Sequence, residues 1–279
     1  YWNFNFFLGV YLMSNLTDLI SAGGGSASFP TIFLSKSQTW VPPQDGNICI
    51  HVIGAGGGGA GTSLTGRSGA AGGYCKKNTL AVTTAGSFTV VVGAGGSGTS
   101  NNHATAGGNS TVAGTGLSAT LTANGGAGGE LNAGTPAAGT ASNGDVNNTG
   151  GSGWYQGGGG AVGLTGTGER GGNTGSSLFA GECDVIGDFW SSTMGQLAGG
   201  KAGQSANQNG DLSSGTIVSQ AGPLSGGAEN YKGGSIFGQV NGGNGGIGAG
   251  GGGARNASSA QMALGGDGGE GIVVIQYIP

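Results

Sequence analysis

The residues best suited to chemistry are few and far apart. Cys49 and His51 stand two positions apart in an apolar segment, so in a strand they share one face. A thiol beside an imidazole could begin a metal site, but a structural zinc needs four ligands. The pair reads as two ordinary buried side chains. His103 falls in a polar stretch and reads as solvated. With 2 histidines in the chain, acid–base or triad chemistry has few candidates.

Gly54, Gly56 and Gly59 follow an apolar run with the spacing of the dinucleotide-binding fingerprint. That fingerprint needs a helix whose N-terminus holds the pyrophosphate and an acidic residue about 20 positions on. The segment that follows is rich in Gly, Ser and Thr and will not form a helix, and the stretch around Tyr74 to Thr79 holds no acid. The same spacing returns at Gly93, Gly95 and Gly98, again without a helix after it. Both copies express composition, and no cofactor is expected.

Glu182, Asp184 and Asp188 cluster beside Phe189 and Trp190. Their spacing is not that of a calcium loop, so the cluster reads as a solvated loop with one hydrophobic anchor ahead of the other reading, a Ca²⁺ site or a polar rim around an aromatic contact, and no metal is expected. Trp154, Tyr155 and Phe179 also lie in irregular stretches between glycine-rich segments. Aromatic side chains on connections favour binding, including stacking on sugar faces. Trp154, Tyr155, Phe179, Asp188, Phe189 and Trp190 are therefore the candidate contact residues. Asn109, Asn147 and Asn256 open N-glycosylation triplets, which chance explains in a chain this rich in Asn, Ser and Thr.

Composition narrows the classes further. Charged residues make up 7% of the chain and the net charge is −4. The 8 basic residues form no cluster, so nucleic acid is not an expected partner. Cys49, Cys75 and Cys183 are widely spaced and odd in number, which argues against a disulfide framework and a zinc site, although one disulfide stays open. Residues 1–12 are apolar but too short a run to span a bilayer. Met13 is read as the native start, with a truncated signal peptide as the other reading of residues 1–12. The chain is expected to divide into an N-terminal segment, 1–30, and a single glycine-rich domain, 31–279. No enzyme activity is expected.

The elements that must position these residues have two textures. Apolar, β-branched runs at residues 31–34, 39–41, 47–53, 79–83, 87–92, 117–122 and 271–277 read as strands. Several are apolar on both faces, as in a strand buried between layers. The first and last are expected to pair. Between them glycine, 72 of 279 residues, recurs as Gly-Gly pairs every third position, at residues 124–130, 241–247 and 264–270. Three residues per turn is the period of the polyproline II helix, which has no internal hydrogen bonds. Its backbone groups need outside partners. Glycine lets such helices bond side by side. The expected fold is all-β: a short-strand, sandwich-like frame plus a bundle of polyproline II-type (polyglycine II) helices, with the irregular connections at the bundle ends.

The order of these segments resembles a known family. Thr39-Trp40 ahead of the strand that runs into Gly54–Gly59, then Gly72-Gly73-Tyr74-Cys75, then Phe88 to Gly96, and the closing Gly271 to Tyr277 are similar to the glycine-rich domain of phage and prophage tail proteins. The likeness extends to the glycine-rich adhesins that cap long tail fibres, in which polyglycine II helices form a sandwich and the loops between them touch the host receptor. It implies a phage tail adhesin or tail-fibre tip on the virion tail, with a host cell-surface receptor (protein or polysaccharide) and other tail proteins as partners. Those adhesins carry an attachment domain ahead of the glycine region; here residues 1–30 stand in that place. The other reading is a secreted or cell-surface glycine-rich structural protein that binds ice or polysaccharide.

Overall fold

A computed structural model describes residues 30–62, 67–131, 134–154, 158–159, 166–168, 206–208, 230–232, 240–256 and 263–279. Among these there is no helix. In chain order the strands are β1 (Thr31–Leu34), β2 (Gln38–Trp40), β3 (Gly46–Ile53), β4 (Ala60–Thr62), β5 (Tyr74–Val82), β6 (Phe88–Val91), β7 (Thr99–Ser100), β8 (Ser110–Gly114) and β9 (Leu121–Ala123). They continue with β10 (Ala141–Ser142), β11 (Val146–Asn148), β12 (Ala206–Gln208), β13 (Asn230–Lys232), β14 (Val240–Asn241), β15 (Ala254–Asn256), β16 (Ala263–Leu264) and β17 (Ile272–Ile278).

Two five-stranded antiparallel sheets form the frame, in the orders β1-β17-β3-β5-β11 and β10-β9-β8-β6-β2. The ends of the chain do pair: β1 lies against β17, with Thr31 opposite Gln276 and Leu34 opposite Val273. Ile48, Ile50 and Val52 of β3, Val273, Ile275 and Tyr277 of β17, and Cys75, Leu80 and Val82 of β5 face one core. Trp40, Phe88, Val90, Val112, Leu121 and Ala123 of the second sheet fill it from the other side. The Trp40 and Phe88 rings meet at 5.4 Å between centroids. Apolar alternation thus drives the sandwich, as period-two patterning requires.

β3 and β17 are buried on both faces, as their continuous apolar runs predict. The strand expected at 79–83 is longer and begins at Tyr74. Its register shifts where Ile48 faces Leu80 but Ile50 faces Lys77, a bulge that turns Cys75 and Leu80 to the same face despite their odd spacing. The strand expected at 117–122 is shorter and later, because residues 115–118 turn first, with Gly116 at φ 83°. Ser110–Gly114, with one large apolar residue, gives no period-two signal, yet it is a central strand of its sheet.

A five-stranded parallel sheet, β12-β13-β15-β4-β7, and a two-stranded one, β14-β16, lie within or beside the glycine-rich segments.

Candidate functional site

Eight glycine-rich runs are direct continuations of sandwich strands. β3 leads into residues 54–61, β6 into 93–99, β9 into 124–130 and β11 into 149–154. Residues 67–73 lead into β5, 103–109 into β8, 137–140 into β10 and 264–271 into β17. The strand register therefore sets one end of each of these eight runs at the sandwich. The connection 100–103 and the run ends at Thr62, Arg67 and Glu130 fall at the far end, whereas the turn at Gly248, whose N–H donates to the Glu270 carbonyl, lies on the sandwich side. Pro30, whose carbonyl accepts from the Tyr277 N–H at 3.1 Å, lies at the opposite end of the sandwich.

Run 54–61 lies at the centre of this bundle. Gly54, Gly57 and Ala60 donate to the carbonyls of Gly73, Ala70 and Arg67. Ala55 and Gly58 donate to Gly108 and Thr105, and Gly56 and Gly59 to Gly269 and Gly266. The donors point in three directions and return to the first after three residues. Three more runs donate back: Gly96 and Thr99 to Gly56 and Gly59, Gly126 and Gly129 to Ala55 and Gly58, and Gly251 to Gly57. Six runs thus surround the central one, and they bond to one another around the ring. Ala70 donates to Ala127, Ala104 to Gly129, Thr105 to Ser97, Gly268 to Gly96, Gly266 to Gly252 and Gly69 to Gly251.

Space, not conformational freedom, demands glycine here. Among the described run glycines, only Gly248 has positive φ, at 70°, where the chain turns between two runs. Elsewhere a Cβ would come within 3.0 Å of a neighbouring backbone: at Gly56 it would meet Ala249, at Gly58 Ser97 and at Gly265 Gly59. The same bonds answer the dinucleotide question. Every N–H from Gly54 to Gly59, the group that would cradle a phosphate, already donates to a backbone carbonyl.

The profile of the glycine-rich domain family matches residues 33–278, from within β1 to the end of β17. The chain belongs to the glycine-rich domain family. A search of curated proteins finds no match.

Of the expected contact residues, the glycine-rich domain shows Trp154 at the far end of run 149–154, partly buried. Its backbone is clamped: Trp154 N–H donates to Ser68 Oγ at 2.9 Å, and Ser68 Oγ and N–H both donate to the Trp154 carbonyl. Tyr155, Phe179, Asp188, Phe189 and Trp190 lie outside the described residues, as do Glu182, Asp184, Cys183 and residues 1–29. At the far end the domain also exposes Asn101, Asn102 and His103. Asn101 has φ 52°, its N–H donates to the Gly61 carbonyl, and Asn102 Oδ1 accepts from the His103 N–H at 2.8 Å. The polar Asn-Asn-His triplet between two glycine runs was the sequence signal for this corner.

Cys49 and His51 are buried on the sheet face away from the shared core. His51 Nδ1 is 2.8 Å from the Tyr74 hydroxyl and Nε2 is 3.3 Å from Cys49 Sγ, so neutral imidazole can satisfy both in either tautomer. Among the described residues no three metal-ligating side chains gather, and no helix is long and apolar enough to cross a membrane.

Burial raises the Cys49 thiol pKa and pushes Cys75 up to about 11, so neither forms the thiolate that reacts at neutral pH. The two thiols face opposite sides of the sheet and are free. Thiol titration of the native protein at neutral pH is expected to leave both unmodified, and unfolding to release both. Rapid native labelling of either, read by peptide mapping, would contradict this burial.

Proposed function

We propose that the threefold-spaced runs are polyglycine II helices, and that the protein is a phage tail adhesin or tail-fibre tip presenting its far-end connections to a host receptor. The polyglycine II reading is supported by donors that return to the same neighbour every third residue. At about 3.1 Å per residue, a run the length of 54–61 reaches roughly 25 Å. Neighbouring runs brace its backbone along that length, which makes a stiff spacer without a conventional core.

One observation carries the adhesin reading: Trp154, the connection 100–103 and the run ends at Thr62 and Glu130 gather at the end remote from Pro30, while the turn at Gly248 lies on the sandwich side. A body that is mounted at one end and recognises at the other has this layout. Loops held by rigid elements bind with little ordering cost. Trp154 fits such a role because its backbone is fixed on Ser68. Tyr155, Phe179, Asp188, Phe189 and Trp190 are further candidate contacts. The receptor would be a protein or polysaccharide of the host cell surface, and other tail proteins would hold the mounted end.

Immunogold microscopy of purified particles is expected to place the protein on the tail, and purified protein is expected to block adsorption to host cells. Trp154→Ala should weaken that block by about tenfold or more, as loss of a central aromatic contact does. Unlabelled tails together with no binding to any host envelope would sink the proposal.

A further inference from the structure

Among the described residues, the outer runs have donor directions with no neighbouring run, and a side chain occupies a donor position in each. In run 124–130, Asn124 and Ala127 donate to the carbonyls of Thr140 and Ala137, and Gly126 and Gly129 to those of Ala55 and Gly58. In the remaining direction, Gly125 N–H donates to Asn109 Oδ1 at 2.9 Å. In run 264–271, Gly265, Gly268 and Gly271 donate to run 93–99, and Gly266 and Gly269 to Gly252 and Ala249. In the remaining direction, Asp267 N–H donates to Asn244 Oδ1 at 2.9 Å. Among the described residues, run 93–99 has two such directions. Ser97 N–H donates to Thr105 Oγ1 at 2.6 Å and Gly98 N–H to Asp267 Oδ1 at 2.7 Å.

Thr105, Asn109, Asn244 and Asp267 are exposed, and each reaches from its own run to a backbone donor on the next. An outward row of N–H groups on a glycine run is the same hazard as an open sheet edge: it can template another chain. Here the template would accept a further glycine run, since a residue without a Cβ approaches as closely as this bundle requires.

We propose that Thr105, Asn109, Asn244 and Asp267 are edge stops, which occupy the donor positions where a glycine run of a second copy of this chain would dock and so keep the bundle finite. The charge of Asp267 adds repulsion between two such faces. This holds whether the domain serves on a virion tail or elsewhere.

The test is the full chain with all four residues changed to alanine. Sedimentation velocity over about a hundredfold range of concentration should show association beyond that of the wild type. A variant that melts as cooperatively as the wild type and sediments identically overturns the proposal. If the fourfold variant loses its melt, Asp267→Ala and Asp267→Asn decide. D267A should speed amide exchange at Gly98 by about tenfold or more and should self-associate, whereas D267N keeps an acceptor and should do neither. Wild-type exchange at Gly98 in D267A overturns the proposal. So does loss of the fold in D267A, which would make Asp267 a structural group rather than a stop.

Discussion

Gly57→Ala is expected to destabilise the protein by about 3 kcal/mol or more, enough to lower its melting temperature by roughly 10 °C. The added Cβ would lie within 3.0 Å of the Ala127 oxygen and carbon and the Gly128 nitrogen, all backbone atoms. No rotamer change relieves such a contact. Run 124–130 would have to move, yet it is tied to run 54–61 at Ala55 and Gly58 and to run 67–73 at Ala70 and Gly73. Each hydrogen bond stretched by that movement is worth about 1 kcal/mol, and an orphaned buried partner costs more. Gly134→Ala is the control. Nothing lies within 4 Å of a Cβ there, so reduced freedom of the unfolded chain should make it neutral or stabilising by about 0.5 kcal/mol. Thermal melts of the two variants side by side check this. Equal, small effects would mean that the runs are not closely packed at Gly57.

The frame was legible where side chains alternate without interruption. Asn47 to Ile53 and Ile272 to Tyr277 state both their strand character and their double burial in composition alone. The signal failed where one local event overrode period two. The bulge at the middle of β5 lets Cys75 and Leu80 share a face, so the sequence pattern predicts the strand only from Thr79. Ser110 to Gly114 is held by its neighbours rather than by its own apolar content: Val112 sits opposite Val90 and Leu121.

The glycine runs invert this relation. Their period of three is plain in the sequence, but which run neighbours which is not, because identical Gly-Gly pairs carry no partner code. For the eight runs that continue sandwich strands, register comes from those strands. β3 and β5 pair antiparallel, so runs 54–61 and 67–73 meet with Gly54 against Gly73. For the same reason the part played by Thr105 or Asn244 cannot be read locally. Each acts on a donor of another run, and only the assembled bundle shows that this donor faces outward.

His51 gives the second large effect, with acid as the trigger. Burial, with the Lys76 ammonium adding to it, pushes the imidazole pKa down to about 3. The unfolded chain protonates this residue near its ordinary value of about 6.5. Between these values the unfolded state binds a proton that the folded state refuses, so stability falls as pH falls. The contribution is complete above about pH 6.5 and has vanished by about pH 3, a loss on the order of 5 kcal/mol. Asp145, whose carboxyl is held low by the Lys77 ammonium and the Asn78 N–H, loses its own contribution in the same direction at lower pH. Denaturation of the wild type alone would therefore mix the two groups. His51→Gln separates them: it retains donor and acceptor atoms for Tyr74 and Cys49 but does not titrate. Denaturant melts from pH 7 to pH 4 should show the wild type losing stability more steeply than H51Q, with the gap opening below about pH 6.5. Parallel curves would mean that water reaches His51 in the folded protein.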